Sequence, residues 1–229
     1  MSSKKVIVAL DSNNLNETIN LVKKLKNDVY AFKLGYEFFF NFGLLGYKRV
    51  FSICPKIFLD LKLHDIPNTV KNGMKGLIKI KPLLTTIHIS GGDNMMLASK
   101  ILGSKTNILG VSILTSLDSK QTKKFYNEKD VSKLVTKYSK AAKKNLLDGI
   151  VCSPKEIRYV RKAVGKNFII VTPGIRIDNK INSDDQKRVS TPKNAINMGA
   201  NYIVIGRPIT KAKNPLKMLQ NINKTLLNK

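Results

Sequence analysis

KVIVALD at residues 5–11, the amphipathic stretch Leu15–Lys26 and YAFKLG at residues 30–35 make one strand–helix–strand unit, and the rest of the chain repeats it. The first run is short and holds consecutive β-branched and aliphatic side chains, the pattern of a strand covered on both faces. Two such strands joined by a helix lie parallel, because the helix returns the chain to the end where the first strand began. Further strands are predicted at Lys56–Leu63 (KIFLDLKL), Leu83–Ser90 (LLTTIHIS), Asn107–Thr115 (NILGVSILT), Gly149–Ser153 (GIVCS), Phe168–Gly174 (FIIVTPG) and Tyr202–Arg207 (YIVIGR). Helix-like stretches such as Thr69–Lys79, Val131–Leu147 and Pro154–Val164 lie between them. Eight strands in regular alternation predict an α/β protein, a closed (β/α)8 barrel forming a single domain over residues 1–229, near the short end for that fold. An open doubly wound sheet is the alternative, but no glycine-rich phosphate fingerprint follows the first strand.

A barrel of this kind carries its active site at the C-terminal ends of its strands. The polar residues at those ends are Asp11, Lys33, Asp60, Lys62, Asp65, Thr115, Arg176 and Arg207. A strand lining a barrel should be apolar, so a charge there needs a partner or a purpose. The segment FLDLKLHDIPNT, residues 58–69, is the richest. Alternate side chains of a strand share a face, so Asp60 and Lys62 point together toward the barrel mouth. Asp65 lies just past the strand, within reach of a returning loop, and Lys33 ends the neighbouring strand. The expected result is an alternating array of two ammonium and two carboxylate groups. Such an array serves either as an ion-pair network that closes the barrel or as a site for chemistry.

Composition narrows the function classes. The chain has 41 Lys+Arg against 15 Asp+Glu, a net charge of +26, which would suit polyanions such as RNA. Only six of those cations are arginine, the 35 lysines are spread along the whole chain, and tryptophan is absent. A nucleic-acid surface built on clustered arginine and stacking aromatics is therefore not expected. The abundance of Asn (22) and Ile (24) beside Lys is the pattern that AT-rich codons produce. Cys54 and Cys152 lack paired or metal-ligand spacing, no run approaches a membrane span, and Met1–Lys5 leads directly into a strand without a visible signal peptide. A reduced, cytoplasmic protein is expected. His64 and His88 have no third ligand at metal spacing and are expected to pack.

FLDLKLHDIPNT resembles the signature of orotidine 5′-phosphate decarboxylases, in particular their bacterial branch. The resemblance runs along essentially the whole chain, through ALD ending at Asp11, FKLG with Lys33, HISGG at 88–92 and LTS at 114–116. It continues through VCSPKE, TPGIR ending at Arg176, DQKRVSTP from Asp185 and IGRPIT from Ile205. A sister group, the hexulose-phosphate synthases and keto-gulonate-phosphate decarboxylases, shares D-x-K-x-x-D but uses it with Mg²⁺ and carries an acidic residue at the end of the second strand. Here that position is Lys33, which would repel the metal.

The resemblance implies decarboxylation of orotidine 5′-phosphate to UMP in pyrimidine synthesis, without metal or cofactor. It implies that Lys62 stabilises and protonates the C6 carbanion, that Asp60 sits near the departing carboxylate, and that Lys33 orients Asp60 and contacts ribose. It further implies that Asp65 enters the site of a partner subunit, which makes the enzyme a homodimer. Asp11 would contact ribose, the alternative being to cap the helix from Leu15. Thr115 would contact the pyrimidine, and Ile66 to Thr69 would line the site, with Thr69 also placed to start a helix. Gly206 and Arg207 would hold the phosphate at the start of a short helix. The polar stretch from Arg176 to Thr191 would form a lid whose Gln186 joins phosphate and base. Ten positions separate Arg176 from Gln186, one more than the family pattern, which leaves Lys187 as a substitute.

Overall fold

The computed structural model describes residues 4–177 and 189–227. Eight parallel strands close into a barrel in sequence order. They are β1 (Val6–Ala9), β2 (Ala31–Leu34), β3 (Ile57–Leu63), β4 (Leu84–His88), β5 (Asn107–Val111), β6 (Gly149–Val151), β7 (Ile169–Thr172) and β8 (Tyr202–Ile205). Closure comes from β8 pairing with β1, Ile7 opposite Val204. The sequence reading located all eight but ran several too far. β1 stops at Ala9 and β5 at Val111, so Asp11 and Thr115 stand on the loops that follow. Apolar runs mark burial, and residues just past the strands, such as Leu10 and Ile113, are buried as well.

The two faces of the strands follow their two-residue period. Ile7, Ala9, Ala31, Phe58, Leu84, Leu109, Val171 and Val204 fill the barrel interior. Their neighbours Val8, Phe32, Leu59, Ile87, Ile170 and Ile203 face the surrounding helices in a separate core. Lys33 and Asp60 follow Ala31 and Phe58 at two-residue spacing, and so sit on the inner face one layer nearer the mouth.

The helices are α1 (Leu15–Leu25), α2 (Tyr36–Ile53), α3 (Pro67–Leu77), α4 (Asp93–Ser99) and α5 (Ser119–Tyr126). They continue with α6 (Val131–Lys144), α7 (Ile157–Val164), α8 (Pro192–Asn197), α9 (Arg207–Thr210) and α10 (Pro215–Leu227). Local chemistry accounts for several of their ends. Asn14, rather than Asp11, caps α1 by accepting a hydrogen bond from the Glu17 N–H at 3.1 Å. Asp118 and Asp130 cap α5 and α6 in the same way. α3 begins two residues before Thr69, with Pro67 in its first turn and Ile66 at the cap position, so Thr69 does not cap it. α2 is aromatic-rich, without a clean apolar stripe, and breaks at Gly43, whose φ of 54° is left-handed. No helix among the described residues is long and apolar enough to cross a membrane.

Candidate active site

At the C-terminal mouth of the barrel lies a cavity of about 320 Å³. Asp11, Lys33, Asp60, Lys62, Thr115, Arg176, Gly206 and Arg207 all line it, over a floor that includes Ala9, Phe58, Val111 and Val204. These residues come from six different strands or the loops after them, and only barrel closure brings them together. Ile66 and Thr69 are exposed on the far side of the β3–α3 turn and do not line it, and Gln186 and Lys187 lie outside the described residues.

Its centre is Asp60, 8% exposed. Lys62 Nζ donates to Asp60 Oδ2 at 2.9 Å, and Lys33 Nζ stands 3.8 Å from the same oxygen. Lys33 Nζ also donates to Asp11 Oδ1 at 3.1 Å. Burial pushes the Asp60 carboxyl up, but the Lys33 and Lys62 ammoniums, with hydrogen bonds from Lys62 and Thr86, outweigh it and hold the group below the ordinary carboxylate range. A buried carboxylate here is tolerated because two cations and a hydroxyl satisfy it. Gly35, the last residue of FKLG, leaves room for the pair beside it, since a Cβ there would lie 3.0 Å from Lys33 Nζ.

Within a single chain the second carboxylate of the array is Asp11, and Asp65 stands outside it. Asp65 is exposed, makes no ion pair among the described residues, and accepts the Ile66 N–H at 2.6 Å. It faces a separate recess, shared with Tyr36, His64, Thr69 and His88. The turn after β3 carries the chain outward, because α3 must return over the outside of the barrel. His64 and His88 pack as expected, ring centroids 5.1 Å apart, and burial lowers the pKa of His88, aided by His64 and Lys62.

Two contributors carry no signal in the sequence. Thr86, fully buried on β4, donates through Oγ1 to Asp60 Oδ1 and accepts the Lys62 backbone N–H, both at 2.9 Å. Tyr36 stands with its ring 5.4 Å from Lys62 Nζ and its hydroxyl donating to the Leu61 carbonyl at 3.0 Å. Lys62 itself has φ 45°, and the β3–β4 register shifts between Leu59 and Leu63. A left-handed lysine costs about 1–3 kcal/mol and persists only where its surroundings impose it. Across this irregularity the Lys62 ammonium still shares the mouth with Asp60, its Nζ 2.9 Å from the carboxylate.

Among the described residues no three His, Cys, Asp or Glu side chains gather as a metal site. What the cavity offers is fixed charge, with ammonium groups beside a buried carboxylate and guanidiniums in its lining. Such a site can stabilise an anion that develops beside Lys62 and supply a proton to it.

Sequence and fold relate the chain to known proteins. Orotidine 5′-phosphate decarboxylase of Wigglesworthia glossinidia brevipalpis is 45% identical over 232 residues, covering 100% of both chains. That of Wolbachia sp. subsp. Brugia malayi is 44% identical over 223 residues, 96% of this chain and 98% of the relative. The crystal structure of orotidine 5′-phosphate decarboxylase from Lactobacillus acidophilus superposes with a TM-score of 0.84 at 36% identity, covering 97% of this chain and 99% of that one. Residues 4–222 match the family described as orotidine 5′-phosphate decarboxylase / HUMPS, and the chain belongs to that family.

Proposed function

We propose that this protein decarboxylates orotidine 5′-phosphate to UMP in pyrimidine synthesis, without metal or cofactor, as a cytoplasmic homodimer of single-domain barrels. The observation that carries the reading is the Lys33–Asp60–Lys62 cluster at the mouth, two ammoniums on one buried carboxylate. The family also includes enzymes that use D-x-K-x-x-D with Mg²⁺. A cation at Lys33, 3.1 Å from one carboxylate and 3.8 Å from the other, occupies the charge role that the metal would fill.

Decarboxylation breaks the bond between C6 and its carboxylate and leaves the electron pair on a ring carbon with no adjacent electron sink. The Lys62 ammonium stabilises that pair electrostatically and then transfers a proton to C6, CO₂ leaving past Asp60. Asp60 pairs with the Lys62 ammonium, Lys33 orients Asp60, and Lys33 and Asp11 meet ribose. Thr115 contacts the pyrimidine. Gly206 and Arg207 take the phosphate, with Arg176 and Gln186 on the loop that would close over it. The test is loss of orotidine 5′-phosphate absorbance on mixing with purified protein in the presence of a chelator. No turnover with or without chelator overturns the proposal, and turnover only without the chelator overturns its metal-free part.

Dimer formation is supported by the surface around Asp65. Tyr36 and Phe40, whose rings stack 5.7 Å apart on α2, are 48% and 79% exposed, and Ile66, next to Asp65, is 66% exposed, so this surface presents apolar side chains. Its pairing with a second copy would carry Asp65, Ile66 and Thr69 toward the partner's cavity.

Phosphate binding gives a further prediction. Arg207→Ala should reduce kcat/KM for orotidine 5′-phosphate by about 2–5 kcal/mol, roughly 30-fold or more. Orotidine, which lacks the phosphate, should be a poor substrate for the wild type and be little affected by the substitution. Equal losses on both substrates would show that Arg207 holds the fold instead.

A further inference from the structure

Thr85 and Thr86 are adjacent on β4, both fully buried, and each uses its hydroxyl to reach β3. Their roles diverge because the side chains point to opposite faces. Thr85 Oγ1 donates to the Leu59 carbonyl at 3.0 Å, on the side facing the helices, and serves the barrel wall. Thr86 follows Leu84 on the inner face, and its hydroxyl makes both of its bonds to the charged cluster. It lies where the β3–β4 register shifts, so the Lys62 N–H takes the Thr86 hydroxyl as its acceptor in place of a backbone carbonyl. One oxygen thus ties the left-handed Lys62 backbone to the carboxylate that its own ammonium contacts. Asp60 Oδ1 is held by Thr86, which leaves Oδ2 directed at Lys62 and Lys33.

We propose that Thr86 is a positioning residue for this reaction: its hydroxyl fixes the separation and direction of the Lys62 ammonium relative to Asp60 without touching substrate. The proposal rests on the decarboxylase reading above. Valine keeps the shape of threonine and removes both hydrogen bonds. Misplacement of a reacting group by about 1 Å costs on the order of 10²-fold in rate, so Thr86→Val should lower kcat on that scale. KM for orotidine 5′-phosphate and the affinity for UMP should change by no more than about threefold, because the ribose and phosphate contacts are elsewhere. Thr86→Ser, which restores the hydroxyl, should recover kcat to within about fivefold of wild type. Thr85→Val loses a buried bond of the same kind and should lower thermal stability while keeping kcat within about twofold.

All variants are assayed beside the wild type, with folding followed by circular dichroism and Thr86→Ala replacing valine if valine does not fold. An inactive wild type sinks the decarboxylase reading itself. With an active wild type, a folded Thr86→Val of unchanged kcat, a matching kcat loss in Thr85→Val, or no recovery in Thr86→Ser overturns the proposal alone. Failure of both Thr86→Val and Thr86→Ala to fold assigns the hydroxyl to barrel assembly and overturns it as well.

Discussion

Lys62→Ala is expected to lower kcat far more than it weakens binding of UMP. The substitution removes the positive charge beside the developing carbanion and also the proton source. Each of these is worth roughly 10²–10⁴-fold or more, and they act on the same step. Fold stability should respond less. Alanine meets the same left-handed backbone as lysine does at φ 45°, and Lys33 and Thr86 remain to satisfy Asp60. With Lys62 gone, the Asp60 carboxyl moves up from its depressed value, since one of the cations that offset its burial is lost. Steady-state kcat and UMP affinity, measured on the same folded preparation, decide the matter. A mutant kcat within about tenfold of wild type would remove Lys62 from the role of proton donor.

The second large effect is a recovery of activity. Lys62→Ala and Asp65→Asn homodimers should each be nearly inactive. If Asp65 works across the interface, a mixed dimer gathers both lesions in one site and leaves the other with native Lys62 and native Asp65. Random exchange of equal amounts makes half the dimers mixed, each with one intact site, so activity should return to about a quarter of wild type, as two-fold symmetry requires. The position of Asp65 motivates the experiment. It is exposed, apart from the cavity of its own chain, in a recess shared with Tyr36 and next to the exposed Ile66. Turnover is measured before and after exchange through mild denaturant, with exchange verified by native mass spectrometry. Activity that stays at the level of the separate mutants would mean that Asp65 acts within its own chain or not at all.

Some of this was legible in the residues alone. Apolar runs such as KVIVALD and YIVIGR, spaced by amphipathic stretches, determine eight strands, because strands covered on both faces must be apolar throughout. Strand periodicity places Asp60 on the barrel's inner face, and the position of Asp11, Lys33 and Arg207 at strand ends marks them as mouth residues from the sequence alone. The strand ends themselves were not legible, since Leu10 and Ile113, just past the ends of β1 and β5, are as buried as the strands.

The partnership of those charges was decided only by the tertiary structure. Asp65 is five residues from Asp60 and was expected in its array, whereas Asp11, 49 residues away, is the carboxylate that meets Lys33. Sequence separation says little about distance once a turn must lead outward to a helix. Thr86 and Tyr36 gave no signal because a threonine in a strand and an aromatic opening a helix are ordinary residues in those places. The left-handed Lys62 was equally hidden. Its conformation is not a preference of lysine but the result of a register shift between two strands, held by a hydroxyl 24 positions further along the chain. A side chain's chemistry is written in the sequence, but its direction at an irregular position is set by the neighbours that overrule local preference.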